Sequence, residues 1–264
     1  MPSPVVVIGI GEMGSVFARG FLRSGHPVYP VTRTVPVTEI FTQVPAPEMV
    51  LLAVAEQDLH TALDDIPAGW RDRLVLLQNE LLPADWIRHG YDDPTVISVW
   101  FEKKKGRDSK VIIPSPAYGP HAGLLASALG SIDIPVQVVA DHDTLLFELV
   151  RKNVYILTTN IAGLQTGGTV GELWSQHRDT ARAIALEVIA LQERLAGRTL
   201  NAEALIDAVV IAFEADPAHQ CMGRSAPARL QRALQLADQF GLELPALRRV
   251  AAGLPTGNKT AASQ

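Results

Sequence analysis

The segment VVVIGIGEMGSVFARGFLRSGHPVYPVTR, residues 5–33, decides the fold prediction for this chain. A β-branched run leads into three glycines, then a helix-like stretch, then a second apolar run that ends at an arginine. Gly9, Gly11 and Gly14 form the spacing G-x-G-x-x-G. Between a strand and a helix, the first glycine allows a tight turn, the second lets backbone approach a pyrophosphate, and the third lets the helix pack on the strand.

The helix after the glycines adds to this interpretation. Its N-terminus offers free N–H groups and the positive end of the helix dipole to an anion. A purely structural turn is the alternative, but the strand, the helix and the second strand all occur in the required order. We therefore predict a dinucleotide-binding loop. The residues expected to contact the cofactor are those of the loop and the first helical turn: Gly9, Gly11, Glu12, Met13 and Gly14.

The end of the second apolar run separates the two nicotinamide cofactors. An acidic side chain there would accept hydrogen bonds from a ribose 2′-hydroxyl group. The sequence instead reads VTRT, with no acid before Glu39. Arg33 can pair with a 2′-phosphate, with Thr32 and Thr34 as helpers. We expect NADP(H) as the cofactor, although an exposed arginine at a strand end is the simpler explanation.

The composition is that of a soluble globular protein. The chain has 264 residues, of which 47% are hydrophobic and 19% charged, with a net charge of −5. This mild acidity gives no electrostatic reason to expect nucleic acid or an anionic membrane as a partner. No run approaches the roughly 18 apolar residues of a membrane span. We expect no signal peptide, because a basic leader is missing and the apolar run leads straight into glycines. The single cysteine excludes an internal disulfide, so we expect a cytoplasmic protein.

The first half of the chain alternates strand and helix signals. Short apolar runs indicate buried parallel strands at residues 5–8, 28–31, 49–54, 74–77 and 96–99. Helical stretches alternate with them at 13–23, 57–63 and 83–89, and extended runs at 110–113 and 136–139 lie either side of a helix at 121–129. This alternation predicts an α/β domain over residues 1–140, with a Rossmann-type doubly wound sheet.

From about residue 141 the strand signals end. Amphipathic helices are predicted at 142–164, 177–195, 202–213 and 227–240. Gly197 and Gly241 stand where helices would stop. We therefore expect a C-terminal all-helical domain over residues 141–264, with a cleft between the domains and an apolar surface able to support a homodimer. The polar tail, residues 253–264, is expected to be frayed.

Four stretches together resemble the ketopantoate reductase (2-dehydropantoate 2-reductase) family over most of the chain. They are IGIGEMG at 8–14, QNE at 78–80, GRDSKVIIPSPAYGP at 106–120 and ELVRKNVYILTTNIAGLQTGGTVGELW at 148–174. The last is the most specific, because its spacing from the lysine to GEL matches the family without a gap. The first half is also similar to β-hydroxyacid dehydrogenases.

The resemblance implies roles for four residues. Lys152 would protonate the carbonyl oxygen of the substrate as hydride reaches its carbon, a step that an ammonium group can perform. Asn79 would contact both the nicotinamide ribose and the substrate. Asn160 would bind the substrate. Cys221, which stands with Met222 at the family's serine-methionine pair, would line the substrate site.

Three of these residues also have a structural interpretation. Lys152 could form only a helix-surface pair with Glu148, four residues earlier. Asn79 could be an ordinary turn residue after a strand. Asn160 could cap or kink a long helix.

Several positions depart from the family pattern. The asparagine four residues after the lysine is Ile156, and the asparagine before GEL is Val170. A late glutamate is missing, since no acid occurs between Asp216 and Asp238. A site without those amides would be more apolar and should prefer a different substrate. The missing glutamate should weaken the placement of substrate and cofactor.

Two acids replace residues typical of the family near the expected phosphate site. Glu56 stands where a lysine is frequent, and Glu80 replaces the glycine after the asparagine. Negative charge there should disfavour NADPH. On the glycine loop, Arg33 and the resemblance, and despite these two acids, we predict an NADPH-dependent oxidoreductase that reduces a small keto or imine compound other than ketopantoate. A catalytically inactive NADP-binding sensor or scaffold, or a β-hydroxyacid dehydrogenase relative, is the alternative.

Two further features carry weaker signals. A basic run could attract an acidic substrate or a cofactor phosphate, although a solvated loop is the simpler interpretation; it comprises Lys103, Lys104, Lys105 and Arg107. The histidines show no metal-binding spacing, because no second pair follows His219 and Cys221 at the usual distance. No metal site is predicted.

Overall fold

The computed structural model of the chain describes residues 2–254. The chain divides into two compact units, Met1–Asn153 and Val154–Gln264, and the division falls inside one long helix. The sequence analysis places the boundary at residue 141, just before that helix begins. The tail for which fraying was expected lies, from residue 255 onward, outside the described residues.

The first unit contains the strands and the shorter helices. Its strands are β1 (Val5–Ile8), β2 (Val28–Val31), β3 (Met49–Leu52), β4 (Leu74–Leu76), β5 (Thr95–Ile97), β6 (Phe101–Glu102), β7 (Lys110–Val111), β8 (Ser115–Tyr118) and β9 (Val136–Val138). Its helices are α1 (Glu12–Arg23), α2 (Val37–Gln43), α3 (Leu59–Asp64), α4 (Pro83–Ile87) and α5 (Ala122–Gly130), and α6 (His142–Thr166) begins in it. Two 3₁₀ segments, Glu56–Asp58 and Ala68–Arg73, precede α3 and β4.

Seven of the described strands form one sheet, in the order β2-β1-β3-β4-β5-β8-β9. The first five run parallel, as the alternating pattern predicts. A further strand, β8, which the sequence analysis did not predict, pairs antiparallel with β5. The chain between them turns back through the β6–β7 hairpin, and a connection without a crossover helix favours an antiparallel neighbour.

The β8 strand was not predicted. Its sequence is Ser-Pro-Ala-Tyr, which contains no apolar run and includes a proline, so neither alternation nor β-propensity marks it. The predicted strand at 110–113 is shorter than expected and forms the hairpin of β6 and β7 instead of joining the main sheet. The helix α2 was also missed, as were the helices at Val170–Gln176 and Pro245–Gly253.

The central strands of the main sheet are buried on both faces, whereas the edge strands β2 and β9 are partly exposed. Along β3, Met49 and Leu51 belong to one buried cluster, while Val50 and Leu52 belong to the other. All four side chains have 0% exposure. Continuous apolar sequences are therefore favoured in the central strands, because a buried cluster lies on either face of them. Each such side chain contributes roughly 1.5–3 kcal/mol when buried.

The second unit is helical within the described residues. It takes the end of α6 and continues with α7 (Val170–Gln176), α8 (Arg178–Ala196), α9 (Ala202–Ala215), α10 (Ala226–Phe240) and α11 (Pro245–Gly253). Gly197 and Gly241 end α8 and α10 in the left-handed conformation, with φ of 67° and 64°. Both predicted helix stops are thus confirmed. Among residues 2–254, no helix combines the length and apolarity needed to cross a bilayer.

Candidate functional site

Two of the three glycines are required by the packing of the chain itself. Gly9 has φ of +93°, and a Cβ atom there would lie 2.7 Å from the carbonyl oxygen of Ala53. A Cβ atom on Gly14 would lie 2.0 Å from the carbonyl oxygen of Gly9. The N–H of Gly9 also donates to Val31 O at 3.0 Å, which joins the loop to β2. Gly9 and Gly14 therefore allow β1, α1 and the residues after β3 to meet at backbone distance.

Gly11 differs from the other two glycines. It caps the N-terminus of α1, it is exposed, and a Cβ atom there would meet no heavy atom within 4 Å. The protein's own packing therefore does not require a glycine at this position, whereas a backbone surface approached by a pyrophosphate would. Glu12 is exposed and Met13 half-buried in the first turn, where N–H groups have no partner within the helix. The open backbone at Gly11 and the N–H groups of the first turn could hold a dinucleotide's phosphates, whereas the Glu12 carboxylate would oppose them.

A buried amide that the sequence analysis did not single out braces this loop. The Nε2 atom of Gln78 donates to Leu52 O at 2.7 Å and approaches Val54 O at 3.5 Å, while its Oε1 atom accepts from the N–H of Leu77. These bonds hold the backbone on both sides of Ala53, against which Gly9 and Gly14 pack. A polar residue that directly continues an apolar strand was the available signal for this role.

The turn after β2 presents Arg33. The backbone of Thr32 and Val35 pairs across the turn, and the hydroxyl of Thr32 accepts from the N–H groups of Thr34 and Val35 at 3.2 Å. Because its hydroxyl accepts these bonds, Thr32 shapes the turn. Arg33 projects from it as an exposed side chain, and no hydrogen bond or ion pair of Arg33 is present within residues 2–254.

Asn79 occupies the turn after β4 and is exposed. The next residue, Glu80, has φ of +59°, a left-handed conformation that favours glycine. The family pattern has a glycine here, so the departure noted in the sequence retains the backbone shape with a less suitable side chain.

The predicted cofactor residues lie at one edge of the sheet. Gly9, Arg33 and Asn79 follow the carboxyl ends of β1, β2 and β4, and Ala53 follows β3. These four strands are parallel neighbours, so their carboxyl ends meet at one edge. The strand order reverses between β1 and β3, which is where ligands bind in open α/β sheets.

Lys152 is half-buried on α6 and lies against an indole ring. Its Nζ atom is 4.4 Å from the centroid of Trp100, and the Arg151 guanidinium carbon is 5.2 Å from the same centroid. Trp100 itself is fully buried, and its backbone N–H donates to Ser115 Oγ at 2.9 Å. The Oε2 atom of Glu148 lies 3.3 Å from Arg151 Nη1, so Glu148 pairs with Arg151. The ammonium of Lys152 thus lies in cation–π contact with a buried aromatic ring.

Asn160 lies two turns further along α6, in the second unit, and its side-chain amide is engaged. Its Nδ2 atom donates to Ile156 O at 2.9 Å, and its Oδ1 atom accepts from Arg229 at 3.4 Å. The first bond is the local helix interaction that the structural alternative describes. Arg229 on α10 was not anticipated.

Cys221 is buried, with 1% exposure, and packs against Gly163 of α6. A Cβ atom on Gly163 would lie 2.9 Å from that of Cys221. Burial, followed by the charge of Glu172, raises the pKa of the Cys221 thiol to about 11. The thiol is therefore protonated near neutral pH and unsuited to nucleophilic attack.

The GEL segment of the resemblance forms the start of α7. Thr169 and Glu172 make a capping box, in which the N–H of Thr169 donates to Glu172 Oε2 at 2.8 Å and the N–H of Glu172 to Thr169 Oγ1 at 3.3 Å. The position that departs from the family, Val170, is fully buried. The motif therefore has a folding role of its own.

No protein-family model and no curated protein matches the sequence. Solved structures do match. The 2-dehydropantoate 2-reductase from Methylococcus capsulatus has a TM-score of 0.69 at 16% identity, over 94% of each chain. The chain has the fold of the ketopantoate reductases. This confirms the fold that the sequence resemblance implied.

Two further structures share this ketopantoate reductase fold. One is the D-mandelate dehydrogenase with NADH and anilino(oxo)acetate, with a TM-score of 0.65 at 14% identity, over 94% of this chain and 96% of that one. The other is a ketopantoate reductase from Staphylococcus aureus described as dimeric, with a TM-score of 0.63 at 14% identity and the same coverage.

Proposed function

We propose that the protein is an NADPH-dependent oxidoreductase that reduces a small keto or imine compound other than ketopantoate. The observation that carries this proposal is the geometry of Gly11. The packing of the chain itself requires the other two glycines, whereas Gly11 leaves an open backbone surface at the N-terminus of a twelve-residue helix. The fold shared with the ketopantoate reductases and the D-mandelate dehydrogenase adds support at the level of architecture.

In this proposal Lys152 is the proton donor. When bound, the nicotinamide would supply hydride for the carbonyl carbon. The Lys152 ammonium would pass a proton to the carbonyl oxygen, which would leave an alcohol and a neutral amine that solvent reprotonates. Before the proton moves, the ammonium stabilises the negative charge developing on that oxygen. Trp100 supports the role because its ring holds the cation in one place.

Arg33 supports the choice of NADPH over NADH. Its guanidinium is exposed at the turn after β2, where a 2′-phosphate would be recognised. Asn79, exposed at the same sheet edge, would contact ribose and substrate.

The substrate is assigned from the apolar replacements. Ile156 and Val170 are buried side chains at positions where the family has amides. A site without those amides would not form hydrogen bonds with the polar groups of ketopantoate, so we propose a less hydroxylated substrate. Asn160 and Cys221 would contribute to its binding. We also propose a cytoplasmic homodimer, on the single cysteine and on the dimeric S. aureus reductase.

The experiment that tests the proposal is a calorimetric titration with NADPH and with NADH. It is followed by a turnover screen of 2-keto acids with apolar side chains. We expect selective binding of NADPH, and oxidation of NADPH with at least one keto acid. Lys152→Ala should abolish turnover while cofactor affinity stays within about twofold. Binding of neither cofactor would overturn the proposal. Tight NADPH binding with no turnover would favour the inactive sensor instead.

A further inference from the structure

The tip of the β6–β7 hairpin lies beside the start of α1. The two strands pair through Phe101↔Val111 and Glu102↔Lys110, and the connecting residues 103–109 carry the basic run. The Nζ atom of Lys103 lies 3.7 Å from Glu12 Oε2. A basic loop that sequence analysis favoured as solvated therefore contacts the first turn of the predicted cofactor helix.

Lys103 is held in place by its own loop. Its side chain is 19% exposed, and its ammonium donates to the carbonyl oxygens of Lys104, at 3.1 Å, and Arg107. The loop is closed by a bond of 3.0 Å from Arg107 N–H to Lys104 O, with Gly106 at φ of +74°. Because the loop carbonyls fix the ammonium, the cation is placed before any ligand arrives.

Two electrostatic effects oppose each other at Glu12. A carboxylate in the first turn of a helix is favoured by the helix dipole. The same turn is where the diphosphate of the cofactor would lie under the proposed function, and a carboxylate there repels it. A cation beside Glu12 would offset this repulsion, because it could pair with the Glu12 carboxylate or with the diphosphate.

We propose that Lys103 is an anion-binding residue of the cofactor site, which pairs with Glu12 in the free protein and with the cofactor's diphosphate in the complex. The inference rests on the proposed function and names a residue outside the glycine loop. Glu12 then weakens cofactor binding by competing for Lys103, and Lys103 strengthens it.

The test is calorimetric titration of NADPH into the wild type, Lys103→Met, Lys103→Arg, Glu12→Gln and Lys105→Met. Lys105 is an exposed lysine of the same loop, and no hydrogen bond or ion pair of Lys105 is present in the described part of the chain. It is therefore the control for the loss of one loop charge. We expect Lys103→Met to weaken NADPH binding about tenfold and Lys105→Met less than about twofold.

The remaining variants test whether Lys103 changes its partner from Glu12 to the diphosphate. Glu12→Gln should tighten NADPH binding by about two- to fivefold, because it removes a competing charge. Lys103→Arg should retain most of the affinity. Lys103→Met should also lower the dependence of affinity on salt concentration.

Three results would overturn the inference. The first is equal loss of affinity in Lys103→Met and Lys105→Met, and the second is weaker binding in Glu12→Gln. The third is a Lys103→Met protein that binds NADPH with wild-type affinity and has unchanged thermal unfolding. That result would contradict the inference about Lys103 but leave the proposed function standing. A wild type that binds no NADPH removes the proposed function, and the inference falls with it.

Discussion

The ammonium nitrogen of Lys152 lies 4.4 Å from the centroid of the Trp100 ring, and Arg151 approaches the same ring at 5.2 Å. The indole is fully buried. A cation over a desolvated aromatic face is stabilised by the ring's quadrupole, by about 0.5–2 kcal/mol. Two neighbouring residues of α6 thus share one aromatic partner, and that partner positions the candidate proton donor.

This relationship predicts a measurable coupling between Trp100 and Lys152. In a double-mutant cycle of Trp100→Phe and Lys152→Met, followed by urea unfolding, we expect a favourable coupling of about 0.5–1 kcal/mol. The same cycle with Trp100→Leu should give a larger value, since leucine has no ring. The control is Trp100→Phe with Lys105→Met, which should be additive. Additivity in the first cycle would contradict the contact.

Gly11 and Gly14 should separate binding from folding. We expect Gly14→Ala to lower the free energy of unfolding by about 2–4 kcal/mol, because its Cβ atom would lie 2.0 Å from Gly9 O. Gly11→Ala meets no atom within 4 Å, so its cost should stay within about 1 kcal/mol. Its NADPH affinity should nevertheless fall at least about tenfold. Chemical denaturation measures the effect on stability, and calorimetry measures the effect on NADPH affinity. Unchanged NADPH affinity in Gly11→Ala would contradict phosphate binding at this turn.

Arg33 should determine cofactor choice. Loss of a charge-assisted pair with the 2′-phosphate in Arg33→Ala should weaken NADPH binding about 10- to 100-fold and leave NADH binding within about twofold. Arg23→Ala, which removes an exposed arginine from the last turn of α1, is the matched control. Calorimetry with both cofactors gives the comparison. Equal losses for NADPH and NADH would show that Arg33 does not read the 2′-phosphate.

Glu80 should be a site of stored backbone strain. Its φ of +59° is unfavourable for a side chain with a Cβ atom, so we expect Glu80→Gly to raise the free energy of unfolding by about 0.5–1 kcal/mol. Glu80→Ala removes the same carboxylate but keeps the Cβ atom, so it should show no such gain. Urea denaturation of both variants decides the matter, and equal stability of the two would exclude strain as the cause.

Cys221 should make stability depend on alkaline pH. Burial raises the pKa of its thiol from about 9 to about 11, so the folded state holds the proton more tightly than the unfolded state. The resulting stabilisation is complete below about pH 9 and is lost as the pH rises to about 11, a change of about 1–3 kcal/mol. Denaturation of wild type and Cys221→Ala across this range measures it. A constant difference between the two would contradict the shift.

Much of this protein could be predicted from local patterns. The five parallel strands, the long helices, the glycine loop and the stops at Gly197 and Gly241 follow from apolar runs, glycine spacing and helix-end signals, each of which acts over a few neighbouring residues. The carboxyl-edge location of Gly9, Arg33 and Asn79 follows as well, because parallel strands bring their ends to one edge.

Tertiary structure decided the features that join residues distant in sequence. The antiparallel pairing of β8, the brace from Gln78 to the backbone around Ala53 and the placement of Lys152 against Trp100 all depend on packing between separate elements. None of these leaves a periodic signal, since a proline-containing strand, a buried amide and a single tryptophan have no repeating pattern. Lys103 shows the difference most directly: its sequence places it in a basic run, and only the fold brings it to Glu12.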